Sequence, residues 1–151
     1  MRLFTIIALA VALTGCGLLD WGDQQADFCI DHVEAVQGFG NITLPSGYTA
    51  LEVTCSVFMD HHSLYARFEI PASELAAFQA GTLVETWVVS PEAIPQTMSG
   101  FDKFLNAYAA RDLDSYIYGH YAPLTPVSQD ILIDTSDPAR YVVYFNAFTS
   151  Y

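Results

Sequence analysis

The chain has 151 residues, is 52% hydrophobic, and carries 17 Asp and Glu against 5 Lys and Arg, for a formal net charge of −12. That length suits one domain with its own core, and ten Phe and nine Tyr exclude a disordered chain. So acidic a surface repels phosphate backbones, which excludes nucleic-acid binding; it attracts a basic protein partner, or serves only to keep the protein soluble.

Arg2 is followed by an apolar run from Leu3 to Leu13 in which Thr5 is the only polar residue. As a helix this run covers about 17 Å, against ~30 Å for the hydrocarbon core of a bilayer, so it reads as a cleaved signal and not as a membrane span. Leu13-Thr14-Gly15-Cys16 closes the run. The tetrapeptide resembles the lipobox of bacterial lipoproteins. The resemblance implies that residues 1–15 are a lipoprotein signal peptide, that Cys16 carries a lipid on its sulfur, and that residues 16–25 are the lipidated N-terminus and tether. Gly17 stands where an Asp would favour retention at the inner membrane, so the resemblance leans towards the outer membrane, facing the periplasm. The implied address is the bacterial cell envelope, with the membrane contacted through the N-terminal lipid. Cysteine arithmetic agrees. Three cysteines are an odd count for an exported chain, and lipidation of Cys16 leaves Cys29 and Cys55 as an even pair. Removing residues 1–15 takes away Arg2 and no acid, so the mature chain carries −13. Such a surface does not favour anionic lipid, and the acyl anchor does the membrane work.

Residues 26–151 form the domain. Asp23 to Gln37 reads as a helix stopped by Gly38, with Cys29, Val33 and Val36 on one apolar stripe. Asp20, Asp23, Asp27 and Asp31 make an acidic stripe that complements the helix dipole; their spacing is not that of an EF-hand loop. Leu51 to Met59 alternates as a strand, with Leu51, Val53, Cys55, Val57 and Met59 on one side. Ser63 to Ile70 repeats the pattern, and Asp60-His61-His62 between them has the place of a hairpin loop. Ser73 to Ala80 reads as a short helix with Gly81 as its stop. Leu83 to Val89 has the composition of a buried strand with an ambiguous period. Gly100 to Arg111 places Phe101, Phe104, Leu105 and Tyr108 at helical spacing, and residues 112–127 show no usable period. Asp130 to Thr135 and Arg140 to Thr149 read as a second hairpin across Ser136-Asp137-Pro138-Ala139. The run Tyr141-Val142-Val143-Tyr144-Phe145 is apolar on both faces, which places it centrally in the sheet or under cover on both sides.

Cys29 on the helix stripe and Cys55 on the inward strand face are expected to form a disulfide. Closing the 26-residue separation is worth about 3.5 kcal/mol by chain entropy. Buried free thiols are the alternative, disfavoured in an oxidising compartment.

Chemistry-bearing constellations are few. Asp60-His61-His62 is the nearest approach to a metal motif, with His32 and His120 as further imidazoles, but adjacent histidines on an extended chain point apart and zinc needs three or four convergent ligands. The expectation is a solvated loop tip and no metal. Lys103 follows Ser99 by four residues, not the three of a Ser-x-x-Lys pair, and no Gly-x-Ser-x-Gly elbow is present. Carboxylates such as Glu52, or Asp112 with Asp114, do not stand out as acid–base catalysts in so acidic a chain. No catalytic residue and no cofactor is expected. Tyr108, Tyr116, Tyr118, His120 and Tyr121 offer an aromatic groove for a sugar or peptide, or else pack into the core.

The sequence is therefore read as an α+β domain, an antiparallel sheet of two hairpins packed against an N-terminal helix and one or two further helices. The expected role is that of a lipid-anchored bacterial envelope protein, non-enzymatic, acting in interaction or architecture. The alternative is a periplasmic inhibitor or immunity-type protein that binds a cationic enzyme such as a cell-wall hydrolase. Glu52, Glu69, Asp112 and Asp114 are the carboxylates expected to meet a basic partner, because the stripe from Asp20 to Asp31 lies close to the anchor.

Overall fold

The computed structural model describes residues 27–58, 60–89, 115–122 and 126–149. Cys16, Asp20, Asp23, Asp112, Asp114, Tyr108, and the expected helix Gly100 to Arg111 lie outside them.

The fold is α+β. Six strands form one antiparallel sheet: β1 (Thr49–Phe58), β2 (His61–Pro71), β3 (Trp87–Val89), β4 (Tyr116–Tyr121), β5 (Val127–Asp134) and β6 (Arg140–Thr149). Their spatial order is β1-β2-β6-β5-β4-β3. β6 is central, between β2 and β5, which accounts for a strand that is apolar on both faces.

Side-chain alternation gives the sheet two different faces. One presents Leu64, Ala66, Phe68 and Ile70 from β2, Val143, Phe145 and Ala147 from β6, and Ile131 and Ile133 from β5, all buried in the main core. Ala35, Val36, Ile42, Leu44 and Phe78 close over that face from the segments before β1 and after β2. Phe68 and Phe78 meet edge to face at 5.7 Å, a contact worth about 0.5–1.5 kcal/mol beyond its area. The second face is polar, and it carries the candidate site.

The segment before β1 is not the single helix expected over Asp23 to Gln37. It is a 3-10 turn (Asp27–Cys29), a break, then α1 (His32–Glu34), continuing into a wider π turn (Ala35–Phe39). Asp31 causes the restart, because its Oδ1 accepts from the backbone of Val33 at 2.9 Å and of Glu34 at 3.1 Å as an N-cap. Nor does Gly38 stop the helix. The chain runs on to Gly40, whose N–H bonds to the Ala35 carbonyl at 3.0 Å. Gly40 is the residue that must be glycine, since a Cβ there would lie 2.3 Å from the Val36 carbonyl oxygen and 2.6 Å from the Phe145 ring. The apolar stripe itself survives: Cys29 and Val36 are buried and Val33 packs on the core.

Cys29 and Cys55 are bridged, with Cα atoms 6.0 Å apart. The disulfide ties the first turn to β1, the outermost strand on that side.

β1 carries a bulge. Thr49 pairs with Glu69 and Glu52 with Arg67, so Ala50 and Leu51 of β1 stand against Phe68 alone. Ala50 takes the extra place at φ 54°, in the left-handed region. β2 starts at His61, two residues before the expected boundary.

After β2, Ala72–Glu74 makes a 3-10 turn and α2 (Leu75–Ala80) follows, ending at Gly81. The run Leu83 to Val89 is not a buried strand. Only β3 pairs, at the sheet edge, with Val89 71% exposed. Trp87 instead lies over Gly119 of β4, where a Cβ would come 2.8 Å from its ring. β4 has no counterpart in the sequence reading, because Tyr and Ile alternate there on faces that both accept large side chains.

Candidate functional site

The polar face is built from cross-strand rows. One row runs His120–Asp130–Asn146–Tyr65–Thr54 across β4, β5, β6, β2 and β1. The next runs Tyr118–Leu132–Tyr144–Arg67–Glu52. Residues opposite one another in such rows have Cβ atoms about 4.5–5.5 Å apart, so each row is a line of neighbouring side chains.

Asp130 is the centre. Its side chain is 6% exposed, and its Oδ1 is 2.6 Å from His120 Nδ1 and accepts from the Tyr118 hydroxyl at 3.0 Å. Both bonds end on the same oxygen. A buried carboxylate is retained only when paired and hydrogen-bonded, and these two partners do that. The His120 side chain is 48% exposed, so one edge of the cluster opens outward.

Asn146, next to Asp130 in the row, is 2% exposed, and its Oδ1 finds no hydrogen-bond partner among the described residues.

The tyrosine phenols are held un-ionised. Burial raises the Tyr118 pKa, and the negative charge of Asp130 and the bond to it push the same way. Tyr65 rises for the same leading reason, with a bond to Ser63 opposing and Asp130 adding. Tyr144 also rises through burial, partly offset by its bond to Arg67.

Beyond the second row lies an ion-pair chain. Arg67 reaches Glu52 and Glu69, each at 3.6 Å, and Arg140 reaches Glu69 at 3.4 Å and donates to the Thr49 hydroxyl. The β1 bulge makes this possible, since it turns both Thr49 and Glu52 to the polar face. Glu52 and Glu69, expected as contacts for a basic partner, are therefore already engaged with the protein's own arginines. Glu52 keeps 71% of its side chain exposed, and such a pair contributes about 0–1 kcal/mol.

The histidines do not converge. His120 belongs to the polar face, whereas the His62 ring stacks on Phe28 at 5.4 Å and lies 6.2 Å from Phe39, on the core side. The boundary of the expected loop is corrected: both histidines belong to β2, the His62 N–H donating to Thr149 Oγ at 2.9 Å and His61 Nδ1 lying 3.3 Å from the Thr149 carbonyl, while Asp60 and His61 are exposed. Among the described residues no group of three or more His, Cys, Asp or Glu is placed to hold a metal ion.

The aromatic set divides as well. Tyr116 and Tyr118 share the polar face with His120, while Tyr121 packs on the core. Tyr65, Arg67, Asp130, Tyr144 and Asn146 were not expected as members of a site. Two signals were present: the alternation Ser63, Tyr65, Arg67, Glu69, and a lone Asn inside an otherwise aromatic and aliphatic β6.

A separate groove of about 410 Å³ lies along the first turns, lined by Phe28, Ile30, Ala35 and Phe39 with Asp27, Asp31 and Glu34 at its rim. Ile30 is 79% exposed there. No helix among the described residues is long and apolar enough to cross a membrane.

Comparison with family models, with curated proteins and with solved structures returned no match.

Proposed function

We propose that this chain is a lipid-anchored bacterial envelope protein, non-enzymatic, that works by binding, with its sheet of two hairpin units and its N-terminal helical segment as the scaffold. The observation that carries this reading is the Cys29–Cys55 disulfide. It uses two of the three cysteines, leaving Cys16 as the odd one, at the end of the run that resembles a lipobox. A disulfide also suits the oxidising space outside the cytoplasm. Leu13-Thr14-Gly15-Cys16 and Gly17 support an outer-membrane address facing the periplasm. The test is the intact mass of protein extracted from membranes. The expected species begins at Cys16 with a diacylglycerol-type adduct and one disulfide, and Cys16→Ser loses the membrane fraction. A soluble, unmodified mature chain would overturn the anchor.

The groove beside Phe28 and Ile30 favours a second reading, a periplasmic inhibitor or immunity-type protein. Its acidic rim suits a basic enzyme surface, and steering by the mature chain's −13 charge raises association rates at low salt. Reversing Asp27 and Glu34 to Lys should slow capture of such a partner as much as added salt does.

A further inference from the structure

The groove along the first turns combines an apolar lining, an acidic rim and a floor left open by a glycine. We propose that it docks a basic amphipathic polypeptide segment, which places an apolar side chain beside Phe28 and Ile30 and Lys or Arg residues against Asp27 and Glu34. The site rests on the second reading, capture of a basic partner, and specifies which part of that partner is held. It does not rest on the lipid anchor.

Gly38 singles the groove out. It lines the groove, and a Cβ placed on it would meet nothing among the described residues within 4 Å. Its backbone lies outside the left-handed region, so neither packing nor conformation calls for glycine. Gly40 is the opposite case, with the Val36 carbonyl and the Phe145 ring closed around it. Glycine within a helical turn is destabilising relative to alanine. What the missing side chain provides is room, because a larger residue at 38 would stand in the groove.

The lining is suited to an apolar guest. Phe28, Ile30, Ala35 and Phe39 contribute to it, and Ile30 is 79% exposed. Beside such a groove, Ile30 extends a patch that a partner can cover, and burial of that area favours association. The walls are held in advance. The Phe28 ring lies 4.8 Å from that of Phe39 and stacks on His62 at 5.4 Å, and neighbouring Cys29 is bridged to Cys55. A preformed groove loses little conformational entropy on binding.

The rim selects the occupant. Asp27, Asp31 and Glu34 line it, with no Lys or Arg among the described lining residues. Asp31 Oδ1 is engaged as the N-cap, whereas Asp27 and Glu34 are exposed. A second copy of this chain would bring the same carboxylates and another net charge of −12, which opposes self-association through this face. A purely apolar segment would desolvate the carboxylates without pairing them. A segment with Lys or Arg flanking an apolar residue satisfies both the rim and the floor.

The test is binding of a fluorescent amphipathic Leu–Lys peptide to the full chain in phosphatidylcholine nanodiscs, read by anisotropy with empty nanodiscs subtracted. One control peptide has Glu in place of Lys, and another has Ser in place of Leu. Saturable binding is expected for the Leu–Lys peptide alone. Gly38→Leu fills the groove and should weaken binding by about ten-fold or more, while the melting temperature holds or rises. Ile30→Ser, at an exposed position that the fold does not need, should weaken it similarly and keeps the test decisive if Gly38→Leu fails to fold. Asp27→Asn with Glu34→Gln should weaken binding and flatten its dependence on salt. Binding that survives Gly38→Leu and Ile30→Ser, or that the Ser-for-Leu peptide equals, overturns the groove; if charge removal still weakens it, capture of a basic partner by the rim stands. Equal binding of the Leu–Glu peptide removes the basic-partner reading, and the docking site falls with it. Absence of saturable Leu–Lys binding overturns the docking site, whereas charge reversal against a basic enzyme decides the second reading separately.

Discussion

Gln129 reaches Gly40 across 89 residues of sequence: its Nε2 donates to the Gly40 carbonyl at 2.7 Å. The same amide nitrogen donates to the Asn41 carbonyl at 3.2 Å, and Oε1 accepts from the Leu83 N–H at 3.1 Å. One fully buried side chain on β5 thereby holds two loops onto the core face.

Removing that amide is expected to cost more than an ordinary core substitution. Gln129→Leu keeps volume but orphans two carbonyls and an N–H. At about 1–3 kcal/mol for each buried group left unpaired, a net loss of about 3 kcal/mol is expected. A fall in the urea midpoint with unchanged slope would show it. Gln129→Glu should also destabilise, because a carboxylate cannot donate to Gly40.

The bulge gives the opposite sign. Ala50 sits at φ 54°, where a Cβ costs about 1–2 kcal/mol and glycine avoids the penalty. Some of that gain is returned as unfolded-chain entropy. Ala50→Gly should therefore stabilise by about 0.5–1 kcal/mol, seen as a higher melting temperature. The bulge itself, and the Arg140–Thr49 bond it permits, should persist.

Alkaline pH should weaken the fold. Tyr65, Tyr118 and Tyr144 have pKa values raised above 10.0 when folded, chiefly by burial. The folded state therefore holds protons that the unfolded state has released, so stability is complete below about pH 10 and falls as pH climbs towards the folded values. Ultraviolet titration of the phenolates should show a late-ionising group, and Tyr118→Phe should remove part of it. A single transition at the ordinary tyrosine value for all phenols would contradict this.

The sequence was most legible where one face meets the core and the other meets water. Leu64, Ala66, Phe68 and Ile70 alternate with Ser63, Tyr65, Arg67 and Glu69, and that contrast marks β2 plainly. Tyr116 to Tyr121 lacks it, since Tyr116 is buried on the polar side and Gly119 makes room for Trp87, so no period of two emerges. The pairing of Cys29 with Cys55 followed from their stripe and strand face. The restart at Asp31 did not, because a capping residue inside an acidic stripe looks like one more solvated carboxylate. The Asp130 cluster was hidden for a different reason. Its members come from four strands, and only the register β4-β5-β6-β2 places them in line.

The strand order carries a consequence for how the chain acquires its shape. β6, residues 140–149, is the last strand among the described residues yet the one that joins β2 to β5. Until it arrives, β1 with β2 and β4 with β5 are separate ribbons, each exposing the apolar edge that β6 will cover. A chain emerging from its N-terminus cannot complete this sheet until residues 140–149 have emerged, and closure then joins segments far apart in sequence. Such long-range pairing is slow.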